Sequence, residues 1–451
     1  MAQTVEPRRG VLWTPEHRTT TAGLLLVITL IAFENLGVAT AMPTMVADLG
    51  GGALYSWPFT AFLVASVVAT VLSGRICDRR GPVPSLLAGP ALFLAGLLVA
   101  GLAQDMALLL AGRFLQGLGT GTLLVATQLL VAAVYTDRER PVLYAATAAA
   151  WVLPAVVGPS IAGLVTEHLG WRWVFLGLVP LVPVGVAMLA PVLRGLAGRP
   201  QGRPEVSASV PAAVAAAIGV AVLTWAAQHP SPLALGYGVA GLAALALALR
   251  RLLPPGTVTA RPGVPAVVAC RALLAGTFAA LEAYLPLTMT AVHGYGPAQA
   301  GLPLTVTALS WSAASAVQGR HPDWRRETLV RAGFVLVGAA LLLFAVVSQP
   351  WSPGWPAFVA AAVGGAGMGV AFPSLSVLLL RHSPEAERGF NTAALQLGDW
   401  VTSALAIGFG GVLLGVLASA SRPGPAVAVL ALTFAGVAVL GALAAGRRPR
   451  D

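Results

Sequence analysis

The 451-residue chain contains no lysine, only two cysteines and 17 acidic residues, and charged side chains make up just 10% of it. Each shortage removes a class of protein. Without lysine there is no Gly-x-x-x-x-Gly-Lys cradle for phosphates, so nucleotide-driven work would need a separate subunit. Cys77 and Cys270 both fall toward the side that the charge pattern marks as cytoplasmic, where a structural disulfide is not expected. The six histidines are scattered singly near helix ends or loops, so no His/Cys cluster suggests a metal, and no enzyme signature is present. A soluble domain carries roughly a quarter charged residues, so the scarcity of charge is incompatible with one.

What the chain has instead is apolar length. It is 57% hydrophobic, with a mean hydropathy of +0.82. The apolar runs are repeatedly about 20 residues long, which at about 1.5 Å per helical residue crosses roughly 30 Å of hydrocarbon. Runs such as "TAGLLLVITLIAFENLGVATAM" show no alternation of apolar and polar residues, which excludes a membrane β-barrel. The fold class is therefore an all-α polytopic membrane protein. The apolar runs and their Gly, Pro and charge interruptions predict fourteen spans, at 21–44, 56–75, 84–103, 107–134, 142–166, 172–193, 208–228, 232–250, 265–289, 297–318, 329–348, 354–380, 391–418 and 424–445.

A net charge of +10 would suit a nucleic-acid partner, but its distribution argues otherwise. The arginines form short clusters between apolar runs. With the N-terminus in the cytoplasm, every arginine except Arg113, Arg172 and Arg422 falls in an inner loop, a tail or an inner helix end, as the positive-inside rule requires. Both termini are then cytoplasmic. The polar start, with Arg8, Arg9, His17 and Arg18, precedes a run too long for a signal-peptide core and reads as leading into a retained first span. Arginine in place of lysine, beside abundant Ala, Gly and Pro, reads as genome composition and carries no mechanistic weight.

Two longer inner segments, 194–207 and 250–264, are rich in Arg, Pro and Gly and bracket spans seven and eight as a separable pair. The expected organisation is a cytoplasmic N-terminus at 1–20, a six-helix bundle at 21–193, linkers with two extra helices at 194–264, a second six-helix bundle at 265–445 and a cytoplasmic tail at 446–451. "GRICDRR" at 74–80 follows the second span of the first six, and "GRHPDWRR" at 319–326 follows the second span of the last six. An arginine-rich inner loop can read this way by chance, but the matching position suits a duplicated unit. The second copy is expected to be a solvated loop.

Charges inside spans are costly and normally face a cavity or a partner. Three acids, Glu34, Glu282 and Asp399, and one base, Arg113, lie well inside. Counted from the cytoplasmic ends, Glu34 lies roughly 18–20 Å deep, Glu282 roughly 25 Å, Asp399 roughly 12 Å and Arg113 about 20 Å. Glu34 and Arg113 thus share a level near the midplane, where secondary transporters place coupling and substrate sites. Parting and rejoining such a pair would switch Glu34 between holding and releasing a proton; a static pair that only fixes helix packing is the alternative. Glu34, Arg113, Glu282 and Asp399 are the candidates for proton coupling. Glu282 with Tyr284, and Asp399 with Gln396 and Trp400, set an acid beside an aromatic or amide group, as suits a cationic amphipathic ligand.

The motifs carry a family resemblance. "GRICDRRG", with Gly74, Asp78, Arg79 and Gly81, resembles the signature loop of the major facilitator superfamily, and Arg80 shares its basic character. "RFLQGLGTG", with Arg113, Gln116, Gly117 and Gly119, resembles that superfamily's fourth-helix motif, and "VVGPSIAGLV", with Gly158, Pro159 and Gly163, its antiporters' fifth-helix motif. "WRWVF" at 171–175 is similar to the start of the sixth helix in drug:proton antiporters with fourteen spans. There are departures: Pro82 and Pro84 follow the signature where basic residues are usual, the second copy lacks the final glycine, and Ala162 stands where a second glycine is common.

The resemblance implies the major facilitator fold, with two six-helix bundles plus a central pair of extra helices. It implies a proton-coupled antiporter of the bacterial inner membrane that exports small amphipathic or drug-like compounds by alternating access. Asp78, Arg79 and Arg80 would latch one conformation, and Gly158, Pro159 and Gly163 would form a tight interface between the rocking halves. The expected partners are a small-molecule substrate, protons and the lipid bilayer, with no nucleic acid, no cofactor and no metal, and the expected state is a monomer. A proton-coupled metabolite importer, a lipid or glycolipid exporter, and a non-transporting receptor or scaffold are the alternatives.

Overall fold

A computed structural model describes residues 11–136, 139–196, 209–229, 231–321, 323–384, 387–417 and 422–445. The start of the expected cytoplasmic N-terminus, most of the 194–207 linker and the tail at 446–451 lie outside the described residues. Among those described, fourteen helical segments are long and apolar enough to cross a membrane. They are α1 (Arg18–Asp48), α2 (Trp57–Arg80), α3 (Val83–Gly101), α4 (Met106–Val134), α5 (Arg140–His168), the paired α6 (Arg172–Leu176) and α7 (Leu181–Leu196), α8 (Val210–Gln228), α9 (Pro232–Leu252), α10 (Val264–Ala291), α11 (Pro297–Arg320), α12 (Arg326–Val347), α13 (Pro356–His382), α14 (Arg388–Leu417) and α15 (Gly424–Ala444). Each matches one of the spans that the sequence predicts, with ends shifted by a few residues.

The helix ends follow local chemistry. Asp105 caps α4 by accepting from Leu108 N at 2.8 Å, and Ser231 caps α9 by accepting from Ala234 N at 3.1 Å. The sixth span is broken between α6 and α7, where Pro180 has no N–H to give. There the chain turns through tighter bonds, Leu178 N to Phe175 O at 3.1 Å and Val179 N to Leu176 O at 3.2 Å.

The phrase "GRICDRR" is a helix rather than a loop. Gly74 to Arg80 are the last two turns of α2, which ends only where Gly81 takes φ 75°. Arg79 and Arg80 thus sit in the last turn, where the negative end of the helix dipole favours cations. Its echo is divided, since Gly319 and Arg320 close α11 while Arg326 opens α12. Arg326 is not solvated as expected: it is 7% exposed and its Nη1 donates to Gln318 Oε1.

The two sets of six spans repeat one pattern of neighbours. In the first, α4 packs against both α2 and α3, while α1 packs against α5 and α7. In the second, α13 packs against α11 and α12, while α10 packs against α14 and α15. In lipid, helices associate by close packing rather than by escape from water. Glycine allows that approach at the same step of both sets: a Cβ on Gly117 of α4 would lie 2.2 Å from Phe62 O of α2, and one on Gly365 of α13 would lie 2.3 Å from Thr307 O of α11. The extra hairpin of α8 and α9 sets α8 against α2 and α14, one helix from each set.

Candidate functional site

The first set of spans centres its buried charge on α4. Arg113 is 2% exposed, and one turn on, at i+3 on the same face, stands Gln116. The Arg113 Nη1 donates to Glu34 Oε1 of α1 and, at 2.6 Å, to Gln116 Oε1; its Nε donates to Pro58 O of α2 at 3.3 Å. The guanidinium lies 4.4 Å from the Phe62 ring centroid, a cation–π contact. Glu34 and Gln116 are fully buried, and the contact expected from the shared depth of Glu34 and Arg113 is present and closed to solvent. Glu34 Oε2 and Gln116 Nε2 have no partner among the described residues. The carboxylate therefore presents one engaged oxygen and one that is buried without a partner.

A second buried pair occupies the other set. Arg271 of α10 donates from Nε to Asp399 Oδ1 and Oδ2 of α14, at 3.1 and 3.0 Å, and its Nη2 lies 3.0 Å from Oδ2. Its Nη1 donates to Ser376 Oγ at 3.2 Å and Phe372 O at 3.4 Å, both on α13, and its guanidinium rests on the Phe372 ring. Arg271 escapes notice in the sequence because the positive-inside rule already accounts for an arginine near an inner helix end. The signal was there: residue 271 is six positions inside its predicted span, roughly 9 Å deep, close to the level of Asp399.

Of the other candidates, Glu282 on α10 is half-buried and has neither a hydrogen-bond nor an ion-pair partner among the described residues. Gln396 of α14 is likewise half-buried and unpartnered. Tyr284 is fully buried, and its hydroxyl donates to Ile407 O at 2.6 Å, so it offers no free group in this conformation. Trp400 is also buried; its ring stacks on Phe62 at 6.0 Å and 18°, and its Nε1 has no partner.

Among the motif residues, Asp78 is half-buried with Arg75 as its electrostatic neighbour, while Arg79 and Arg80 are exposed. Pro159 and Gly163 sit at the contact between the two sets. A Cβ on Gly163 would lie 2.5 Å from Ala298 Cα of α11, one on Gly301 would lie 2.7 Å from Pro159 O, and Ser160 Oγ lies 3.2 Å from Thr305 Oγ1. Gly158 faces Phe33 of α1 at an ordinary 3.6 Å. Tyr55 adds a crossing bond, its hydroxyl donating to Ala283 O at 2.9 Å. These contacts lie in the half of the spans away from the arginine-rich ends. At the arginine-rich ends, a Cβ on Gly74, Gly319 or Gly389 would meet nothing within 4 Å.

Comparison with known proteins identifies the family. Residues 24–406 match the family model described as "Major Facilitator Superfamily". The chain is 28% identical over 439 residues to a "Probable multidrug-efflux transporter" of Mycobacterium tuberculosis (strain CDC 1551 / Oshkosh), covering 92% of this chain and 91% of the relative. It is 26% identical over 398 residues to the multidrug transporter protein MdtP of Bacillus subtilis (strain 168), covering 83% of this chain and 71% of that one. Among solved structures, a POT family transporter in complex with a thioalcohol-conjugated peptide superposes with a TM-score of 0.70 at 14% identity, covering 98% of this chain and 99% of that one. At that identity the likeness concerns the fold alone.

Proposed function

From the premise that this chain belongs to the Major Facilitator Superfamily and is a secondary transporter, not an enzyme, we propose that it is a proton-coupled antiporter exporting small amphipathic or drug-like compounds by alternating access. The observation that carries this reading is the buried Glu34–Arg113 pair with Glu34 Oε2 buried without a partner. An ionised carboxylate in a dry site is tolerable only while its cation stays beside it. A proton arriving at Oε2 neutralises Glu34, removes the attraction that holds Arg113 and lets α1 and α4 part. Loss of that proton re-forms the pair. One carboxylate thereby links proton movement to helix position.

The rest of the cycle follows from where the halves touch. With the arginine-rich side taken as cytoplasmic, contacts through Pro159, Gly163 and Tyr55 close the outer side, and the conformation faces inward. Glu282 and Gln396, half-buried and without partners among the described residues, are the groups left to meet a ligand, and a half-buried carboxylate with no cation beside it selects lipophilic cations. Asp399, held by Arg271, is the second candidate for protonation. The reading includes two six-helix units at 21–193 and 265–445 around the extra hairpin, a monomer in the bacterial inner membrane, and the multidrug efflux reported in the names of the relatives above. In proteoliposomes, an imposed pH gradient should drive accumulation of tetraphenylphosphonium or ethidium, and a protonophore should collapse it; accumulation indifferent to both would refute proton coupling.

A further inference from the structure

The aromatic contact between Phe62 and Trp400 joins the two buried ion pairs. Phe62 belongs to the first pair. Its ring carries Arg113 at 4.4 Å, and its backbone is clamped to α4, with Phe62 O against Gly117 and Ser66 Oγ donating both to Phe62 O at 2.8 Å and to Gly117 O at 3.1 Å. Trp400 belongs to the second pair. It directly follows Asp399, and its stretch of α14 is pinned to α10 beside Arg271, where Thr402 Oγ1 donates to Ala272 O at 2.6 Å and Gly398 approaches Ala272 closely. Each ring therefore moves with its own pair.

The stack at 6.0 Å and 18° is the aromatic contact between these two bodies, which also meet where Gly411 of α14 approaches Ser56 at the start of α2. Both rings are buried, at 3% and 7% exposure, in a cluster with Val67, Ala216 and Val401. Among the described residues no hydrogen bond holds Trp400 Nε1, so packing sets the position of the indole. A change at Arg113 alters the face on which Phe62 rests, and a relative movement of α2 and α14 slides one ring off the other.

We propose that the Phe62–Trp400 stack transmits the state of each ion pair to the other across the interface between the halves. Phe62 and Trp400 are positioning residues in this arrangement, acting through Arg113 and Asp399 rather than on a substrate. The proposal rests on the reading that the two halves rock. Without the stack, the pairs would respond independently, and the proton on one side of the interface would have no influence on the other.

A double-mutant cycle on conformation tests this without a ligand. Spin labels at Gly195→Cys and Gly389→Cys, where added side chains meet open space, report the separation of the halves in a Cys77→Ala, Cys270→Ala background. Glu34→Gln and Asp399→Asn each change the ratio of close to distant populations. In the parent, their combined effect should depart from the product of the single effects by at least about fivefold. With Phe62→Leu the departure should fall within about twofold, Trp400→Leu should do the same from the other half, and Phe62→Tyr should retain it. An equal departure in the leucine variants, or none in the parent, overturns the proposal. A distribution that is identical in every variant and in acidic and alkaline buffer overturns the rocking reading itself, and the proposal with it.

Discussion

Arg271 grips Asp399 through Nε to both carboxylate oxygens, at 3.1 and 3.0 Å, in the second set of spans, where the first set joins Arg113 to Glu34. Each arginine also lies on a phenylalanine ring, Phe372 for one and Phe62 for the other. Each half of the molecule thus buries one acid and one base in contact.

Removing one member of such a pair leaves an uncompensated charge. Arg271→Met should destabilise the protein by about 3–5 kcal/mol, whereas Arg271→Met combined with Asp399→Leu should recover most of that loss. Thermal unfolding in detergent distinguishes the two outcomes. Equal losses in the single and double variants would show that Asp399 does not depend on Arg271.

Gly163 has no room for a side chain against α11. Paired cysteines at Ser160 and Thr305, whose oxygens lie 3.2 Å apart, should cross-link readily under mild oxidation. Adding Gly163→Val should suppress the cross-link several-fold by holding α5 away from α11. An unchanged yield would mean that this contact does not need the glycine.

Glu282 has no charge partner among the described residues, so Glu282→Gln should leave thermal stability within about 0.5 kcal/mol of the parent. The same change should weaken binding of tetraphenylphosphonium by about tenfold and leave neutral ligands unaffected, as expected for one lost charge–charge contact in a partly dry site. Equilibrium binding of the two ligand types checks this directly.

Tyr284 behaves as packing with one committed hydroxyl. Tyr284→Phe removes the hydroxyl bond to the Ile407 carbonyl, which keeps its helical partner, and should cost about 1 kcal/mol of stability, with ligand affinity unchanged. A loss of affinity without a loss of stability would return Tyr284 to the ligand site.

Much of this was legible in the chain. Apolar length placed every span, because a helix in lipid must satisfy its own backbone over a set thickness. Counting residues from the span ends brought Glu34 level with Arg113. The same count applied to Arg271 would have paired it with Asp399, but an arginine near an inner helix end already has a topological explanation. "GRICDRR" was assigned to a loop because charge suggests solvent, yet cations are stable in the last turn of a helix and only Gly81 ends it. The burial of Tyr284 and the stacking of Phe62 on Trp400 depend on how helices rotate against each other, which spacing along one helix does not specify. Arg326 was hidden for the same reason, since its partner Gln318 lies across a turn on a neighbouring helix.

In the proposed cycle Glu34 exchanges the coupling proton. Glu34→Gln, compared with wild type in proteoliposomes under an imposed pH gradient, tests it most directly with tetraphenylphosphonium as the transported probe. Gradient-driven accumulation should be lost while equilibrium binding of the probe is retained. Accumulation that persists at the wild-type level in the glutamine variant would contradict the account.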